Sequence, residues 1–268
     1  MFPADWKQAN VTPVFKNGNA KEVKNYRPIS LLSIVSKCME RCIYKYVHNY
    51  LLQNGVITPN QSGFTRGDSA INQLVEISNL FGKALDSGKE VRVVFCDISK
   101  AFVCVWHKGL LFKLEQYRIT GCILNWFRSY LNGRSQRVFL NGSFSQWKRI
   151  KAGVPLGSIL DPPLFITFIN DIVRDIGASI KLFVDDTSLY VTVESLNIAA
   201  NILNNDLQKI HNWSDRWLVK FNPQKTETML ISRKTVKPLH PPLKMNNHDI
   251  QEDILEFTSQ ITVRGTSI

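Results

Sequence analysis

Three aspartates in the sequence are candidates for binding divalent metal ions. Asp97 follows the apolar run 91–96, and Asp185 and Asp186 stand side by side between two apolar runs, 180–184 and 187–193. Mg²⁺ prefers hard oxygen ligands, and phosphoryl transfer from a nucleoside triphosphate uses two such ions about 3.5–4 Å apart. Two adjacent aspartates also occur as ordinary turn residues. The metal interpretation therefore requires that the three carboxylates be brought together in one sheet.

The elements around the aspartates predict such a sheet. Residues 91–96 are typical of a buried strand, and the runs on either side of Asp185 and Asp186 predict a hairpin with both carboxylates at its tip. A helix is predicted over 195–217 and a further strand over 226–232. If the basic hairpin described below is set aside as an insertion, a split βαβ, ferredoxin-like core remains.

Helices are also predicted on both sides of this core. Apolar residues at helical spacing predict helices over 31–52 and 69–86, after a polar, turn-rich segment 1–30. A helix is expected over 158–175, with Pro162 and Pro163 in its first turn, where proline is tolerated. Beyond Lys237 the periodicity fades.

The charge of the chain favours a polyanionic partner. Its 268 residues carry 33 Lys and Arg against 22 Asp and Glu, a net charge of +11. Nucleic acid or an anionic membrane surface would fit this excess. Residues 134–140 and 143–150 are predicted to form a hairpin around Asn141-Gly142. The segment 128–151, which includes this hairpin, contains only basic charges. An ordinary solvated face is the alternative interpretation. The charged residues are Arg128, Arg134, Arg137, Lys148, Arg149 and Lys151.

The cysteines and the apolar runs restrict where the chain acts. Five cysteines without CxxC spacing indicate neither a disulfide framework nor a zinc cluster, which fits a reduced intracellular compartment, cytoplasmic or nuclear. No apolar run is long enough to span a bilayer, and no signal peptide is recognisable at the N-terminus. We therefore expect no membrane association and no secretion, and infer no protein partner.

Six short blocks stand in order along the chain. They are NYRPISLL at 25–32, QSGF at 61–64, FCDISKAF at 95–102, GVP at 153–155, FVDDT at 183–187 and NPQKTE at 222–227. Through these blocks, which stand in family order, the sequence from Trp6 to Lys234 resembles the reverse transcriptase domain of jockey-type, LINE-like (non-LTR) retrotransposons.

The resemblance implies an α+β polymerase right-hand fold. Fingers would occupy 1–90 and a ferredoxin-like palm 91–235, with a divergent tail at 236–268 and the thumb truncated or absent. Asp97, Asp185 and Asp186 would be the catalytic carboxylates, and the Ile98 carbonyl an additional metal ligand. Two Mg²⁺ ions, for which Mn²⁺ can substitute, would be the cofactors. The partners would be an RNA template, a DNA primer and deoxynucleoside triphosphates.

Four further residues match nucleotide-site positions of the family. Phe102 would lie under the sugar and exclude a ribose 2′-OH, although a core aromatic is the alternative. Lys16 and Arg66 would offset triphosphate charge, although each is equally well simple surface charge. Lys225 would be the general acid that protonates pyrophosphate.

The chain also departs from the family pattern. Leu156 occupies a nucleotide-site position at which the resemblance implies Gln. Its side chain offers no hydrogen-bond donor or acceptor. Asp161 and Arg118 each replace Gly, and Pro163 replaces Leu. Two hypotheses remain open: an RNA-directed DNA polymerase, and a catalytically decayed remnant that keeps the fold and nucleic-acid binding. A metal-dependent nuclease would leave the Phe102 and GVP blocks unexplained.

Overall fold

A computed structural model describes residues 1–65, 67–234 and 240–256, with the side chains of 254–256 left aside. The chain divides into two compact units. Unit 1 comprises Met1–Thr58 and Lys100–Asp171, and unit 2 comprises Pro59–Ser99 and the chain from Ile172 onward. The expected fingers segment 1–90 and palm segment 91–235 are therefore each shared between the two units.

The helices and strands follow one another along the chain. They are β1 (Gln8–Phe15), β2 (Tyr26–Leu31), α1 (Ile34–Gln53), α2 (Ala70–Asp86), β3 (Glu90–Asp97), α3 (His107–Gln116), α4 (Gly121–Leu131), β4 (Ser135–Leu140), β5 (Ser143–Phe144), β6 (Lys148–Arg149), α5 (Asp161–Ile169), β7 (Ser179–Phe183), β8 (Asp186–Val193), α6 (Leu196–Trp217), β9 (Glu227–Ser232), β10 (Lys244–Met245), β11 (His248–Asp249) and β12 (Gln251–Glu256).

Unit 1 contains a mixed sheet of order β2-β1-β4-β5, with β6 paired to β4. Strands β1 and β2 lie in the segment that was expected to be turn-rich. The sequence did not predict them, because their prolines interrupt the strand pattern. Pro13 is the cross-strand partner of Pro28, and β1 pairs with β4 only through residues 8–11. Proline is tolerated in a sheet where its missing N–H faces an open edge. Both prolines fit that position.

The hairpin predicted at Asn141-Gly142 is confirmed. Both residues have positive φ, 50° and 78°, as a type I′ turn requires. Strand β4 also pairs in parallel with β1, so the hairpin is part of the sheet of unit 1 and not a separate insertion. Arg134 is only 1% exposed and donates to the carbonyls of Tyr130 and Trp6. The predicted basic surface is therefore smaller than expected.

Helix α1 is confirmed, but its predicted apolar face is wrong in part. Ile34, Val35 and Tyr46 are exposed, whereas Ser36 and Glu40 are fully buried. The Glu40 carboxylate accepts hydrogen bonds from the Ser36 hydroxyl and, in unit 1, from the Ile159 amide, both at 2.9 Å. A buried carboxylate satisfied in this way can replace an apolar contact.

Unit 2 contains the predicted ferredoxin-like sheet. Its order is β12-β9-β3-β8-β7, and β9, β3, β8 and β7 are successively antiparallel. Four of these strands give the order that a split βαβ core requires. Helix α6 contacts β8 and β3. The strand that ends in Asp97 therefore lies in the middle of the sheet, between the strand after the Asp-Asp turn and β9.

Helix α2 covers part of this sheet. Ser69 caps the helix by accepting from the Asn72 amide, as expected for a serine before a helix. The apolar core of unit 2 joins α2 to β3, β8 and β9. It comprises Phe81, Ala84, Leu85, Val91, Val93, Tyr190 and Ile231.

The segment after Lys237, where the sequence periodicity fades, contains strands where the structure describes it. Residues 240–256 form the β10–β11 hairpin and then β12, which pairs in parallel with β9. The buried Arg92 of β3 holds this segment, because it donates to the Pro241 carbonyl at 2.8 Å and to Glu252 at 3.0 Å. Residues 235–239 and 257–268 lie outside the described residues. The described helices include none that is both long and apolar enough to cross a membrane.

One departure from the family pattern has a visible structural cost. Arg118 has φ +61° in the turn that ends α3, where its amide donates to Glu115 and the Ile119 amide donates to Leu114. This left-handed position at a helix C-terminus is the one that favours glycine.

We predict that Arg118→Gly raises the free energy of unfolding by about 0.5–1 kcal/mol, because glycine adopts positive φ without a Cβ clash. Arg128→Gly, at an exposed position within helix α4, is the matched control and should lower it by about 1 kcal/mol. Urea unfolding of both variants measures the difference. Equal destabilisation by both substitutions would contradict the assignment of strain to Arg118.

Candidate active site

The register of β3 and β8 places two of the predicted carboxylates opposite each other. Asp97 is the cross-strand partner of Asp186, at the end of β3 and the start of β8. Directly opposed residues of an antiparallel pair have Cβ atoms about 4.5–5.5 Å apart. Asp185 precedes Asp186 in the turn between β7 and β8. The predicted trio is thus brought together within unit 2.

The carboxylates repel one another. The pKa of Asp186 is raised, first by desolvation and then by the neighbouring charges of Asp185 and Asp97. Lys225 places a cation beside them, with its Nζ 4.0 Å from Asp97 Oδ2. Its side chain is 68% exposed, so water screens much of this attraction. A bound cation would relieve the remaining repulsion.

A turn organised by Asn222 brings Lys225 to the carboxylates. The Asn222 amide donates to the Asp97 carbonyl at 2.9 Å, which anchors the turn to the end of β3. The Asn222 carbonyl then accepts from the amides of Lys225 and Thr226, and the Gln224 amide donates to the Asn222 side chain at 3.1 Å. Local side-chain bonds of this kind are characteristic of asparagine turns. The sequence block was recognised, but this role of Asn222 was not.

The carbonyl of Ile98 points away from the chain segment around Phe221. Ile98 pairs with Phe221 in an isolated antiparallel bridge, whose hydrogen bonds are made by the adjacent residues, from Ser99 to Lys220 and from Asn222 to Asp97. In such a pair the N–H and C=O of the central residue point away from the partner strand. The Ile98 carbonyl therefore points toward the β8 side, where Asp186 begins its strand.

The turn that carries Asp185 has a strained backbone. Phe183 pairs with Asp186, so Val184 and Asp185 are the two central residues of the hairpin. Val184 has φ +58°, a conformation that suits glycine and costs a β-branched residue on the order of 1–3 kcal/mol. Such strain persists only where surrounding contacts impose it.

The donor set fits a hard divalent cation. It consists of three carboxylates and a carbonyl, which are the oxygen ligands that Mg²⁺ takes. In the part of the chain that the structure describes, no three His, Cys, Asp or Glu side chains are already grouped closely enough to hold an ion. The carboxylates would therefore have to turn toward the cation on binding.

The other predicted site residues lie in unit 1, apart from Arg66, which is outside the described residues. Phe102 packs on Phe165, with ring centroids 4.7 Å apart. Its carbonyl accepts from the Val154 amide at 2.9 Å. Gly153 lies so close that an added Cβ would be 2.6 Å from the Val103 carbonyl oxygen. The GVP block therefore holds the Phe102 loop.

Leu156 and Lys16 are attached to the same unit through their backbones. The Leu156 carbonyl accepts from the Ser30 amide at 2.9 Å, and the Lys16 amide donates to the Asn25 carbonyl at 2.9 Å. The Leu156 side chain is half-buried and that of Lys16 is exposed. Both side chains belong to loops or strand ends and not to the interior.

Asp161 begins helix α5, and its carboxylate is almost completely buried, which is unusual for an aspartate. Asp161 is 4% exposed, and within the described residues its Oδ1 has no hydrogen-bond partner. Burial is the main cause that raises its pKa to about 8, and the nearby Glu40 adds to it, while a backbone hydrogen bond from Gly157 opposes it. The protein therefore holds this group protonated near neutrality.

A family model described as reverse transcriptase (RNA-dependent DNA polymerase) matches residues 15–259. The chain belongs to the reverse transcriptase family. The resemblance to non-LTR retrotransposon elements is also confirmed. The "Probable RNA-directed DNA polymerase from transposon BS" of Drosophila melanogaster is 32% identical over 276 residues, covering 100% of this chain and 30% of that protein.

A second relative is the RNA-directed DNA polymerase from mobile element jockey of Drosophila melanogaster. It is 30% identical over 243 residues, covering 87% of this chain and 26% of the relative. This reverse transcriptase chain thus spans about a third or less of the length of these relatives.

Solved structures support the polymerase right-hand fold. Telomerase from Candida albicans, in complex with a fragment of telomeric RNA, matches with a TM-score of 0.60 and 14% identity, covering 91% of this chain and 45% of that one. Apo telomerase from Candida tropicalis has a TM-score of 0.61 and 10% identity, covering 83% and 44%. The reverse transcriptase fold is shared although few residues are identical.

The raised pKa of Asp161 predicts a pH-dependent stability. Its folded pKa lies above the unfolded value, so its contribution is complete below about pH 4 and is lost as pH rises through about 8. We expect Asp161→Asn to gain roughly 1–3 kcal/mol of unfolding free energy over the wild type between about pH 5 and about pH 9, because Asn carries no buried charge.

Thermal or urea unfolding at both pH values measures this difference. Asp5→Asn, at an exposed carboxylate of the same unit, is the control for general pH effects. If the difference in unfolding free energy between Asp161→Asn and wild type did not change with pH, the raised pKa of Asp161 would be contradicted.

Proposed function

We propose that this domain is an RNA-directed DNA polymerase that extends a primer 3′-OH on an RNA template. The observation that carries the proposal is the register that sets Asp97 opposite Asp186, with Asp185 at the adjoining turn. A chain of the reverse transcriptase family needs carboxylates at this place to hold its metal ions. The substrates would be deoxynucleoside triphosphates.

Asp97 and Asp185 would hold two Mg²⁺ ions, with Asp186 and the Ile98 carbonyl completing the ligand set and Mn²⁺ as a substitute. When bound, the ions would favour ionisation of the primer hydroxyl and neutralise the leaving pyrophosphate. Lys225 would donate a proton to pyrophosphate, which fits its exposed position beside Asp97.

Four residues outside the carboxylate cluster would recognise the nucleotide. The Phe102 ring would exclude a ribose 2′-OH, and its packing on Phe165 would keep it in place. Lys16 and Arg66 would bind the triphosphate. Leu156 would contact the nucleotide through apolar atoms alone. In these terms residues 1–90 supply the fingers and 91–235 the palm.

The RNA template would find a basic and aromatic surface on the β4–β6 hairpin. Lys148, Arg149 and Lys151 are exposed there, and Phe144 and Trp147 are about half exposed. The Arg137 guanidinium stacks 3.9 Å from the Phe144 ring centroid and 4.5 Å from that of Trp147. Cations and aromatic faces together are suited to single-stranded nucleic acid. The domain would act in the cytoplasm or nucleus, where its five free cysteines remain reduced.

The second candidate function is nucleic-acid binding without catalysis. The buried Asp161 and the apolar Leu156 favour this decayed remnant, since both depart from the family pattern at or near the GVP block. The intact trio of aspartates favours the polymerase. The two candidates make opposite predictions for the same assay.

We predict Mg²⁺-dependent primer extension on an RNA template by the unmodified domain. Asp185→Ala should reduce the rate by at least roughly 100-fold, because it removes a metal ligand that acts on both reacting oxygens. Leu156→Gln combined with Asp161→Gly should raise activity, since it restores a hydrogen-bonding side chain and removes a buried carboxyl.

Two outcomes decide between the candidates. Extension by the unmodified domain that Asp185→Ala abolishes would exclude the remnant. Extension that appears only in the Leu156→Gln, Asp161→Gly variant would show that this copy has decayed.

A further inference from the structure

The side chain of Gln61 is buried behind the turn that carries Asp185. Gln61 is 3% exposed, and its Oε1 accepts two hydrogen bonds, from the Gly63 amide at 2.8 Å and from the Val184 amide at 3.0 Å. In the described chain its Nε2 has no hydrogen-bond partner. A single carboxamide oxygen thus joins the QSGF block to the backbone of the turn.

The residues beside Gln61 fix it against β7. Gln61 forms a parallel bridge with Leu182, the Ser62 amide donates to the Leu182 carbonyl at 3.0 Å, and the Leu182 amide donates to Asn60 at 2.8 Å. These bonds extend the sheet of unit 2 by a short edge segment. The position of the Gln61 carboxamide is therefore set by backbone pairing and not by its side-chain rotamer alone.

Gly63 completes the contact. A Cβ added to Gly63 would lie 2.5 Å from Val184 Cγ2 and 2.6 Å from the Val184 backbone nitrogen. No real side chain could be accommodated there without moving the turn. Two contacts therefore meet the turn at Val184: the hydrogen bond from its amide to Gln61 and the close approach of Gly63.

We propose that Gln61 is a positioning residue, which holds the strained Val184 so that the adjacent Asp185 carboxylate meets the metal ion. The role of Asp185 rests on the proposed function, but the constraint on the turn does not. Val184 keeps its positive φ because its amide is bonded to Gln61. Without that bond the turn would relax and carry Asp185 away from Asp97.

Two variants of Gln61 distinguish the effect of its acceptor oxygen from the effect of its side-chain size. Gln61→Met keeps the length of the side chain and removes the acceptor, whereas Gln61→Glu keeps an oxygen at the same reach. Gln61→Met should speed hydrogen exchange of the Val184 amide by at least about fivefold, the factor that corresponds to one hydrogen bond. It should weaken Mn²⁺ binding roughly tenfold, as loss of a residue supporting a metal ligand does. NMR exchange and Mn²⁺ electron paramagnetic resonance measure the two effects.

The controls keep the result interpretable. Gln73→Met removes another buried glutamine of unit 2, in α2, and should leave Val184 exchange unchanged. Gln61→Glu should keep Val184 protected. If Gln61→Met and Gln61→Glu expose the Val184 amide equally, or if Gln73→Met does so as much, the proposal is overturned. Wild-type Mn²⁺ binding equal to that of Asp185→Ala would refute the metal function instead, and Val184 exchange would still decide the constraint on the turn.

The substitution Val184→Gly tests whether Gln61 acts through the strained conformation of Val184. In Val184→Gly the turn residue adopts positive φ freely, so adding Gln61→Met should change Mn²⁺ affinity less than about twofold, compared with roughly tenfold in the Val184 background. Equal losses in both backgrounds would show that Gln61 does not act through the conformation of Val184.

Discussion

The site depends on two like charges held opposite each other in neighbouring antiparallel strands. Asp97 and Asp186 are register partners, although carboxylates in that position repel. The apolar core that α2 forms with β3, β8 and β9 fixes this register. A slip of one residue would turn every side chain of β8 to the opposite face. The energy of the core is what keeps the repelling pair in place until a cation offsets the repulsion.

The remaining contacts orient the groups around that pair. Asn222 ties the Lys225 turn to the backbone of Asp97, and Gln61 ties the QSGF block to the backbone of Val184. Asn222 bonds to Asp97 through its backbone amide, and Gln61 bonds to Val184 through an uncharged carboxamide, so neither adds charge to the site. In unit 1 the same pattern recurs, because the GVP block holds the Phe102 loop by a backbone bond and by the close approach of Gly153.

Much of this could be read from the sequence, because apolar runs and their acidic ends report buried strands directly. The split βαβ core and the hairpin of Asp185 and Asp186 were predicted on that basis. Strands β1 and β2 were missed because Pro13 and Pro28 interrupt their strand patterns, and β12 was missed because its run is polar. The buried Glu40 and Arg134 were missed because hydrogen bonds, which periodicity does not reveal, allow their burial. The role of Gln61 depends on a contact between distant parts of the chain.

The most direct test of the account is to map where a paramagnetic ion binds. In an NMR titration with Mn²⁺, the account predicts that line broadening first affects the amides of residues 97–98, 184–187, 222, 224 and 225. Replacing Asp97 and Asp185 with asparagine should abolish it. Broadening centred elsewhere, or unchanged in the double asparagine variant, would contradict the claim that these carboxylates form the metal site.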